Sequence, residues 1–389
     1  MIELVFWAGI AVLAYAYVGY PAILAFLAKI IGSEKEASVP ETALPSISVL
    51  IAAYNEQRSI GAKIRNTLSI DYPGDLIEVW VASDGSIDAT NSIVSALAAQ
   101  DKRVRLLEFP RMGKSCVLTK AMERMSTEVK KSDIVVFSDA NTEFDLNAFK
   151  FLASRFSDQA IGCVCGKLVY RNPGRIVSGK GESSYWKYET ALKRLESRLG
   201  YISGANGAIY AIRRELFEPL PKGTINDDFV ISMRVVAKGY KSIYEEKALA
   251  YEDVATSAGG EFKRHVRDGA GHYIALWHLV GLLNPFLGIR AFIHWSHRIF
   301  RWSAPFILPA LLIVNVMLFE YRPYKYIFAG QAAFYAAAIL GFLMVGNSRL
   351  PFVFYVPYYF CNLNLAIFMG FLKAVSGRQK MTWERTERI

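Results

Sequence analysis

Short apolar runs alternate with amphipathic stretches through the middle of this chain. Four runs are rich in branched aliphatic residues and predict strands: Ile47–Ala53, Ile77–Ser83, Val104–Glu108 and Ile134–Ser138. The stretches between them have the spacing of amphipathic helices: Gln57–Ile70, Ile87–Ala99 and Lys114–Met125. Apolar strands that alternate with helices are typical of a parallel sheet covered on both faces. The pattern therefore predicts an α/β domain, which we assign to residues 46–260.

Uncharged runs flank this domain on both sides. Four of them contain no Asp, Glu, Lys or Arg: Leu4–Ala28, Trp302–Phe319, Tyr326–Ser348 and Leu350–Leu372. Each is close to the roughly 20 apolar residues that a helix needs to cross a bilayer. The first run lacks a basic start and a small-residue cleavage site before Lys29, so we interpret it as a retained anchor rather than a signal peptide.

The hydrophobic pattern divides the chain into six parts. We assign a transmembrane anchor, a linker, the α/β domain, a basic amphipathic interfacial segment, C-terminal transmembrane helices and a basic tail to residues 1–31, 32–45, 46–260, 261–297, 298–373 and 374–389. Within the interfacial segment we predict a helix over Tyr273–Ile289, with Trp277 and His278 at the level of the lipid headgroups. Alternatively this stretch is a further span, or the last uncharged run does not cross, and the side of the tail stays open.

The distribution of charged residues predicts how the chain is oriented in the membrane. The net charge is +10, and basic residues crowd the approach to the second uncharged run: Lys263, Arg264, Arg267, Arg290, Arg298 and Arg301. The positive-inside rule then predicts a multi-pass protein of the cell (inner) membrane with a cytoplasmic α/β domain. Because these residues cluster at bilayer boundaries rather than along one helix of the soluble part, membrane lipids are the expected partner and nucleic acid is not.

Polar side chains follow three of the predicted strands. Asn55 and Glu56 come after the first strand, Asp84 after the second and Asp139 after the fourth. Ligands of open α/β sheets bind beyond the carboxyl ends of the strands, so these positions predict one shared site. No dinucleotide-binding G-x-G-x-x-G follows the first strand, and Glu108 stands where a phosphate loop ending in Gly113-Lys114-Ser115 would need its first glycine.

Six short motifs in order give the site a family resemblance. They are Ala53-Tyr54-Asn55-Glu56, Ser83-Asp84-Gly85-Ser86, Gly113-Lys114-Ser115, Asp139-Ala140-Asn141, Gly204-Ala205-Asn206-Gly207 and Asn226-Asp227-Asp228. Together they resemble the family 2 glycosyltransferases, in particular the membrane group that includes cellulose, chitin and hyaluronan synthases. The likeness covers about residues 46–271. It implies a GT-A fold (Rossmann-like, with a mostly parallel sheet), one N-terminal and about three C-terminal transmembrane helices, and an interfacial helix.

The resemblance implies a nucleotide-binding role for residues at the strand ends. This set comprises Ala53, Tyr54, Glu56, Asp84, Lys114 and Asp139. Three of the residues in these motifs also have a structural explanation that involves no nucleotide. Asn55 could cap the helix that follows, Asp84 could belong to an ordinary turn, and Lys114 could be a solvated lysine at a helix start.

A metal site is implied at Asp139-Ala140-Asn141, which occupies the place of the family's D-x-D motif. One carboxylate and one amide oxygen, two residues apart on an extended segment, face the same way and suit Mg²⁺ or Mn²⁺. Asn141 stands where an aspartate is usual, which removes one negative charge from the site. A strand-end turn is the alternative.

The general base is expected at Asp228, with Asp227 beside it. Asp228 matches the second carboxylate of the family's Glu-Asp motif, and an inverting transfer needs one carboxylate to deprotonate the acceptor hydroxyl. A helix N-terminus that favours acidic residues is the alternative. Gly204 and Asn206 are expected to shape the acceptor pocket, although a tight turn would explain them equally well.

The segment Arg264-His265-Val266-Arg267-Asp268 departs from the family pattern. Polymerising members carry Q-x-x-R-W at this place, whose arginine faces the diphosphate and whose tryptophan stacks on the acceptor sugar. Arg267 is kept and is expected at the diphosphate, with Arg264 at phosphates of donor or lipid. Asp268 replaces the tryptophan, which removes a sugar-stacking aromatic.

These features lead to one functional expectation and several rivals. We expect an inverting, metal-dependent glycosyltransferase that moves one sugar from a UDP-sugar to a lipid-linked or saccharide acceptor in cell-surface polysaccharide synthesis. A processive synthase that extrudes its polymer is the close alternative. A transporter or receptor with a nucleotide-sensing domain fits poorly, because the spans contain no charged residues. A nucleotidyltransferase shares the sheet but not the late pair of aspartates.

Overall fold

The computed structural model describes residues 1–33, 44–127, 132–171, 177–253, 258–344 and 350–377, and for 177–186 and 258–259 it describes the backbone alone. Most of the predicted linker and of the basic tail therefore lie outside the described residues.

A single eight-stranded sheet forms the centre of the domain. Its strands are β1 (Ile47–Ala53), β2 (Ile77–Asp84), β3 (Val104–Phe109), β4 (Ile134–Asp139), β5 (Glu143–Phe144), β6 (Ile161–Arg171), β7 (Tyr210–Arg213) and β8 (Lys241–Asp253). Across the sheet they lie in the order β3-β2-β1-β4-β7-β6-β8-β5. The four strands predicted from the sequence are present, each ending within one residue of its predicted end.

The first half of the sheet is parallel. Strand β1 pairs in parallel with β2 and β4, and β2 pairs in parallel with β3. All seven residues of β1 are buried, because helices cover both of its faces. The carboxyl ends of β1, β2 and β4 therefore reach the same edge of the sheet. The predicted mostly parallel α/β fold is confirmed.

Two apolar clusters pack on opposite faces of the sheet. The helices of the domain are α3 (Ile60–Leu68), α4 (Thr90–Gln100), α5 (Lys114–Ser126), α6 (Ala148–Arg155), α7 (Val177–Arg198), α8 (Asp227–Ala237) and α9 (Ala258–His278). Val49 and Ile51 of β1 pack with residues of α3, α4 and α6. Leu50 and Ala52, which point the other way, pack with α5 and α8 in a cluster that also includes Trp302. The core on this second face is thus continuous with a membrane helix.

Strand β7 introduces antiparallel pairing into the second half of the sheet. It runs antiparallel to both β4 and β6, and β6 in turn pairs in parallel with β8. The chain segment that enters β7 therefore passes the carboxyl end of β4. This arrangement brings residues 203–207 beside Asp139.

Four helices among the described residues are long and apolar enough to cross a membrane. They are Ile2–Ile30, made of α1 (Ile2–Ala14), a π-helical turn and α2 (Tyr20–Ile30); Ile289–Met317, made of α10 (Ile289–Ile293), a π-helical turn and α11 (Phe300–Met317); α12 (Arg322–Leu343); and α13 (Phe352–Val375). One N-terminal and three C-terminal helices agree with the arrangement predicted from the sequence.

The second membrane helix begins earlier than the uncharged run that predicted it. It starts at Ile289 instead of near Trp302, so the boundary placed between 297 and 298 falls inside a helix. Its early charges are accommodated by protein: Arg290 donates to the Val236 carbonyl at 3.1 Å, and Arg301 pairs with Glu189 at 2.6 Å. The amino-terminal part of this helix therefore packs on the α/β domain.

The stretch 273–289 is not one helix. Helix α9 ends at His278, and two short 3₁₀ turns, Val280–Leu283 and Pro285–Leu287, lead into α10. The Asn284-Pro285 pair separates the two turns, because the backbone of Asn284 is extended (ψ 113°), as a residue before proline prefers. Trp277 is 82% exposed, as expected for a side chain at a lipid boundary. Helix α9 also packs closely on α13, where a Cβ added to Gly370 would lie 2.6 Å from the Ala270 nitrogen.

Candidate active site

The loops after β1 and β2 are joined by the side chain of Asn55. This residue has a positive φ of 54°, which asparagine tolerates better than most residues. Its backbone N–H donates to Ser86 Oγ at 3.1 Å, and its Oδ1 accepts from the Ile87 N–H at 2.9 Å. Helix α3 begins only at Ile60, so Asn55 orders the two loops rather than capping that helix.

The other residues predicted at the end of β1 line the same loop. Ala53 is the last residue of the strand and is buried, and Tyr54 follows it. The Glu56 N–H donates to Thr90 Oγ1 at 2.8 Å, and its carboxylate accepts from Ser59 Oγ at 2.6 Å. These bonds tie the loop to the start of α4 on one side and to the approach to α3 on the other.

Asp84 is a fully buried carboxylate at the end of β2. It accepts from the backbone N–H groups of Met112 at 2.6 Å and Gly113 at 3.1 Å, and it pairs with the Arg111 guanidinium. The next residue has to be glycine, because Gly85 has φ +68° and a Cβ there would lie 2.7 Å from the Arg111 nitrogen. Asp84 therefore fixes the loop that leads from β3 into α5.

Arg111 is a site residue that the sequence analysis did not single out. Its guanidinium carbon lies 3.3 Å from the centre of the Tyr54 ring, while the same group pairs with Asp84. Arginine prefers such faces because its planar, weakly hydrated charge stacks on aromatic rings. A basic residue two positions before Gly113-Lys114 was the available signal.

Lys114 joins the strand-end motifs to the later pair of aspartates. Its Nζ lies 2.9 Å from Asp139 Oδ1 and 3.2 Å from Asp227 Oδ1. Burial acts to lower the pKa of Lys114, but the two carboxylates outweigh burial and the pKa is raised. An ammonium group held between two carboxylates offsets the repulsion between them and keeps them close together.

The turn that carries Asp139 is supported from inside the domain by Lys63. This buried lysine donates to Ser138 Oγ at 2.8 Å and to Thr142 Oγ1 at 2.9 Å. Burial holds the pKa of Lys63 well below its usual value. On the other side, a Cβ added to Gly207 would lie 3.0 Å from Asp139 Oδ2, a tight contact that would push the carboxylate aside. The turn that carries Asp139 is therefore supported on one side and closely approached on the other.

Asp227 and Asp228 open helix α8, directly after Asn226. Asp228 Oδ1 accepts from the Phe229 N–H at 2.8 Å, within the first turn of the helix. Burial raises the pKa of Asp228 to about 7, and the neighbouring Asp227 adds to this rise while Lys114 opposes it. Burial also raises the pKa of Asp227. A carboxylate with a pKa near 7 is well matched to accepting a proton at neutral pH.

The segment 203–207 lies between the two groups of aspartates. The Ala205 N–H donates to Ser232 Oγ at 3.0 Å, and that hydroxyl donates to the Asp228 carbonyl at 2.8 Å. Gly204 has φ +130°, and a Cβ there would lie 2.6 Å from the Phe229 ring. Asn206 donates to the Gly166 carbonyl at 3.0 Å, so its amide faces β6. Gly204 thus lies beside the start of α8, whereas Asn206 stabilises the turn into β7.

Helix α9 brings the basic segment up to the start of α8. The Asn226 side chain donates to the Asp268 carbonyl at 3.0 Å, and a Cβ added to Gly271 would lie 2.4 Å from Asn226 Oδ1. Arg267 and Asp268 are both partly exposed and face each other at 3.3 Å. Arg264 lies one turn earlier on the same helix. The segment therefore borders the helix start that carries the two aspartates.

The donor set suits a divalent cation that is shared with a substrate. Across the described part of the chain, no group of three or more His, Cys, Asp and Glu side chains could hold a metal alone. The Asp139 side chain is 37% exposed, and Asn141 donates from Nδ2 to Glu252 Oε1 at 3.1 Å. Mg²⁺ is commonly held by one or two carboxylates together with substrate phosphates. Asp139 fits that role, with phosphate oxygens supplying further ligands, and Asn141 stays a predicted second ligand.

Comparison with known proteins yields a family model and several relatives. The model described as "Glycosyltransferase like family 2" matches residues 45–271. A beta-monoglucosyldiacylglycerol synthase of Trichormus variabilis is 23% identical over 331 residues, covering 82% of this chain and 67% of the relative. A poly-beta-1,6-N-acetyl-D-glucosamine synthase of Staphylococcus aureus is 24% identical over 246 residues, covering 62% of this chain and 58% of the relative. The chain thus spans about two thirds or less of these relatives.

One solved structure resembles nearly the whole chain. The mannosyltransferase PcManGT from Pyrobaculum calidifontis, in complex with GDP-Man and Mn²⁺, aligns with a TM-score of 0.70 at 20% identity. The alignment covers 97% of this chain and 100% of that protein. At this level of identity the likeness concerns the fold, and it includes the membrane helices as well as the α/β domain.

Proposed function

Because this chain belongs to the glycosyltransferase-like family 2, we propose that it is an inverting membrane glycosyltransferase that transfers a sugar from a UDP-sugar to a lipid-linked or saccharide acceptor. The family membership and the GT-A fold make it a glycosyltransferase. The donor, the acceptor class and the stereochemical course are the proposed parts. They rest on the site geometry and on the relatives.

The proposal depends above all on one observation: Lys114 binds Asp139 and Asp227 at once, and Asp228 is adjacent to Asp227. These residues come from three separate parts of the sequence and meet at the carboxyl edge of the parallel strands. That edge is where open α/β sheets bind nucleotides. A diphosphate bound at this edge would meet the ammonium group of Lys114 and the exposed carboxylate of Asp139.

The nucleoside is proposed to lie over the ends of β1 and β2. Tyr54 and Arg111 supply flat surfaces for a base, and Asp84 holds the loop that carries Arg111. Glu56 supplies a further carboxylate in the loop after β1. On this proposal, Arg111 shifts away from the Tyr54 ring when the base enters.

The transfer step follows from the position of Asp228. Its carboxylate accepts the proton of the acceptor hydroxyl while that oxygen forms a bond to the anomeric carbon of the donor sugar. The bond from this carbon to the diphosphate oxygen breaks, and the nucleoside diphosphate leaves with the electron pair. A divalent cation bound by Asp139 and the diphosphate would offset the charge of the leaving group. Lys114 and Arg267 add positive charge on the protein side.

The acceptor is proposed to arrive from the membrane. The α/β domain contacts helices that are long enough to cross a bilayer, and the two named relatives make a glucosyldiacylglycerol and a polysaccharide. We favour one transfer per binding event, because Asp268 stands in place of a sugar-stacking tryptophan. Lys263, Arg264 and Arg267, which precede the second membrane helix, support a cytoplasmic position of the domain at the inner membrane.

The test is release of nucleoside diphosphate from a panel of UDP- and GDP-sugars by the full chain in membranes, with Mn²⁺ and after EDTA. We expect release from a UDP-sugar that stops on chelation. Asp139→Ala should abolish the activity and its metal response together, with a loss of at least about 100-fold. Release from GDP-sugars alone would overturn the choice of donor, and undiminished activity after chelation would overturn the metal assignment.

A further inference from the structure

A buried polar network lies where the α/β domain meets two membrane helices. Glu189 and Glu196 are two turns apart on one face of α7, and both are nearly inaccessible to solvent. Facing them are Tyr20 from α2 and His297 from the π-helical turn before α11, which are completely buried. Arg301 follows one turn after His297. Three distant parts of the chain thus contribute to one cluster.

His297 is the centre of this network. Its Nδ1 lies 2.5 Å from Glu196 Oε1, and its Nε2 lies 3.1 Å from Glu189 Oε2. Each ring nitrogen therefore faces a carboxylate oxygen. Tyr20 donates to the same Glu196 oxygen at 2.6 Å, and Arg301 pairs with Glu189 at 2.6 Å. Two buried carboxylates therefore share one histidine ring, and each has a further partner on a membrane helix.

The buried Glu189 carboxylate is stabilised by its neighbours in the network. Burial acts to raise the pKa of the Glu189 carboxyl, but Arg301 and His297 outweigh burial and hold that pKa well below its usual value. Removing one partner of such a buried pair leaves an uncompensated charge. Two apolar surfaces could pack together without these charged groups. The charged groups instead require one particular orientation of α7 relative to the membrane helices.

Every polar group of Ser203 is held at this junction. Its N–H donates to Glu196 Oε2 at 2.9 Å, and its hydroxyl lies 2.7 Å from His297 Nδ1. Its carbonyl accepts from Arg298 Nε at 2.8 Å. Ser203 is the first residue of the segment 203–207, so the network fixes the beginning of that segment.

The same segment reaches both groups of site aspartates. Two residues after Ser203, the Ala205 N–H binds Ser232, whose hydroxyl binds the carbonyl of Asp228. At its other end, the Gly207 carbonyl accepts from the Asp139 N–H at 3.2 Å. Five consecutive residues therefore run from the membrane helices to the proposed base and the proposed metal ligand.

We propose that the network of Tyr20, Glu189, Glu196, His297 and Arg301 positions the segment 203–207, so that the membrane helices hold the two groups of aspartates in register for transfer. This inference rests on the proposed function. These are positioning residues, because they act through Ser203 and touch no reacting atom. Their loss should lower the rate of transfer and leave nucleotide binding, which depends on the β1 and β2 loops, in place.

The test uses the full chain in membranes with the donor and acceptor on which the wild type is active. His297→Phe should lower kcat by about tenfold or more, since small misplacements of reacting groups are costly, with the donor KM changed less than about twofold. Ser203→Ala removes one hydroxyl and should lower kcat by about threefold to tenfold. Arg301→Met should behave like His297→Phe, and Arg301→Lys should recover most of the rate because it keeps the charge beside Glu189.

The matched control lies on the same helix. Asn315 is buried in α11, and its amide hydrogen-bonds with Gln331 at 2.7 Å, away from the segment 203–207. Asn315→Leu removes a buried hydrogen bond of the membrane region and should keep kcat near the wild-type value. If His297→Phe does not accumulate in membranes, Ser203→Ala and the two Arg301 variants decide. A wild type that is inactive with every donor contradicts the proposed function, whereas an active wild type with Ser203→Ala and Arg301→Met equal to the control overturns the network's role.

Discussion

The two sides of the site are built in different ways. On the donor side, Asp84 and Asp139 end their strands and the loop of Tyr54 follows β1, and their partners lie in neighbouring loops and at the start of α5. On the membrane side, Ser203 is held by His297 and Arg298, which lie 94 and 95 residues later, and by Glu196, whose partner Tyr20 lies 176 residues before it. The first side is set by sheet topology, and the second by packing between domains.

Because of this difference, nucleotide binding should depend on the donor side, and the positioning of the two groups of aspartates should depend on the membrane side. Loops at strand ends keep their shape as long as the sheet is intact, so the donor side should bind nucleotide independently of the membrane helices. The segment 203–207 has to satisfy two neighbours at once, the membrane network and the start of α8. Substitutions on the two sides should therefore change different kinetic constants.

The largest effect is expected for Asp228→Asn, at the point where the two sides meet. The amide cannot accept the proton of the acceptor hydroxyl, so kcat should fall by about 100-fold to 10,000-fold. Binding of the nucleoside diphosphate, measured by calorimetry, should change little because the β1 and β2 loops are untouched. A variant with a near-normal rate would contradict the assignment of Asp228 as the base.

Arg111→Met tests the donor side alone. It removes the charge that pairs with Asp84 and covers Tyr54, so the donor KM should rise by about tenfold with kcat nearly unchanged. Steady-state kinetics at varied donor concentration measures both constants. Arg105→Met is a suitable control, because Arg105 lies on β3 against Trp80, outside the site loops. A fall in kcat at constant KM would place Arg111 in the transfer step instead.

The donor side was largely predictable from the sequence, because its signals are local. An apolar strand that ends in a polar residue marks the edge of the sheet. Asp84 and Asp139 are the last residues of β2 and β4, and Asn55 lies two residues after the end of β1. Arg111 escaped notice because its partner Asp84 lies 27 residues earlier, across a helix and a strand. A pairing between residues so far apart leaves no periodic pattern in the sequence.

The membrane side was predicted only as a set of helices. Hydropathy located the spans, but it placed the start of the second one near Trp302, because the charges of Arg298 and Arg301 mark a helix as exposed to water. Those charges are instead bound by Ser203 and Glu189. A helix that packs on protein at one end and on lipid at the other has no single hydropathy signature.

The pH dependence of transfer provides a smaller and more selective test. Asp228 has to be ionised to act as a base, and its pKa is raised to about 7 by burial and by Asp227. Activity should therefore fall as the pH drops below about 7. Asp227→Asn removes the adjacent negative charge, so the acidic limb of the kcat/KM profile should move to lower pH by about one unit. A limb that stays in place would show that another group controls it.

The smallest expected effect concerns the length of the product and tests the membrane side alone. Asp268 is partly exposed, and its side chain faces Arg267 beside the start of α8. A tryptophan at this position would offer a face on which an acceptor sugar can stack, since stacking against an indole retains saccharides between transfers. Asp268→Trp should therefore shift products toward chains longer by one or a few sugars, with the donor KM unchanged. The control Asp268→Asn removes the same charge without adding an aromatic ring, so equal product lengths in the two variants, measured by mass spectrometry with a defined acceptor, would remove the missing tryptophan as the reason for single transfer.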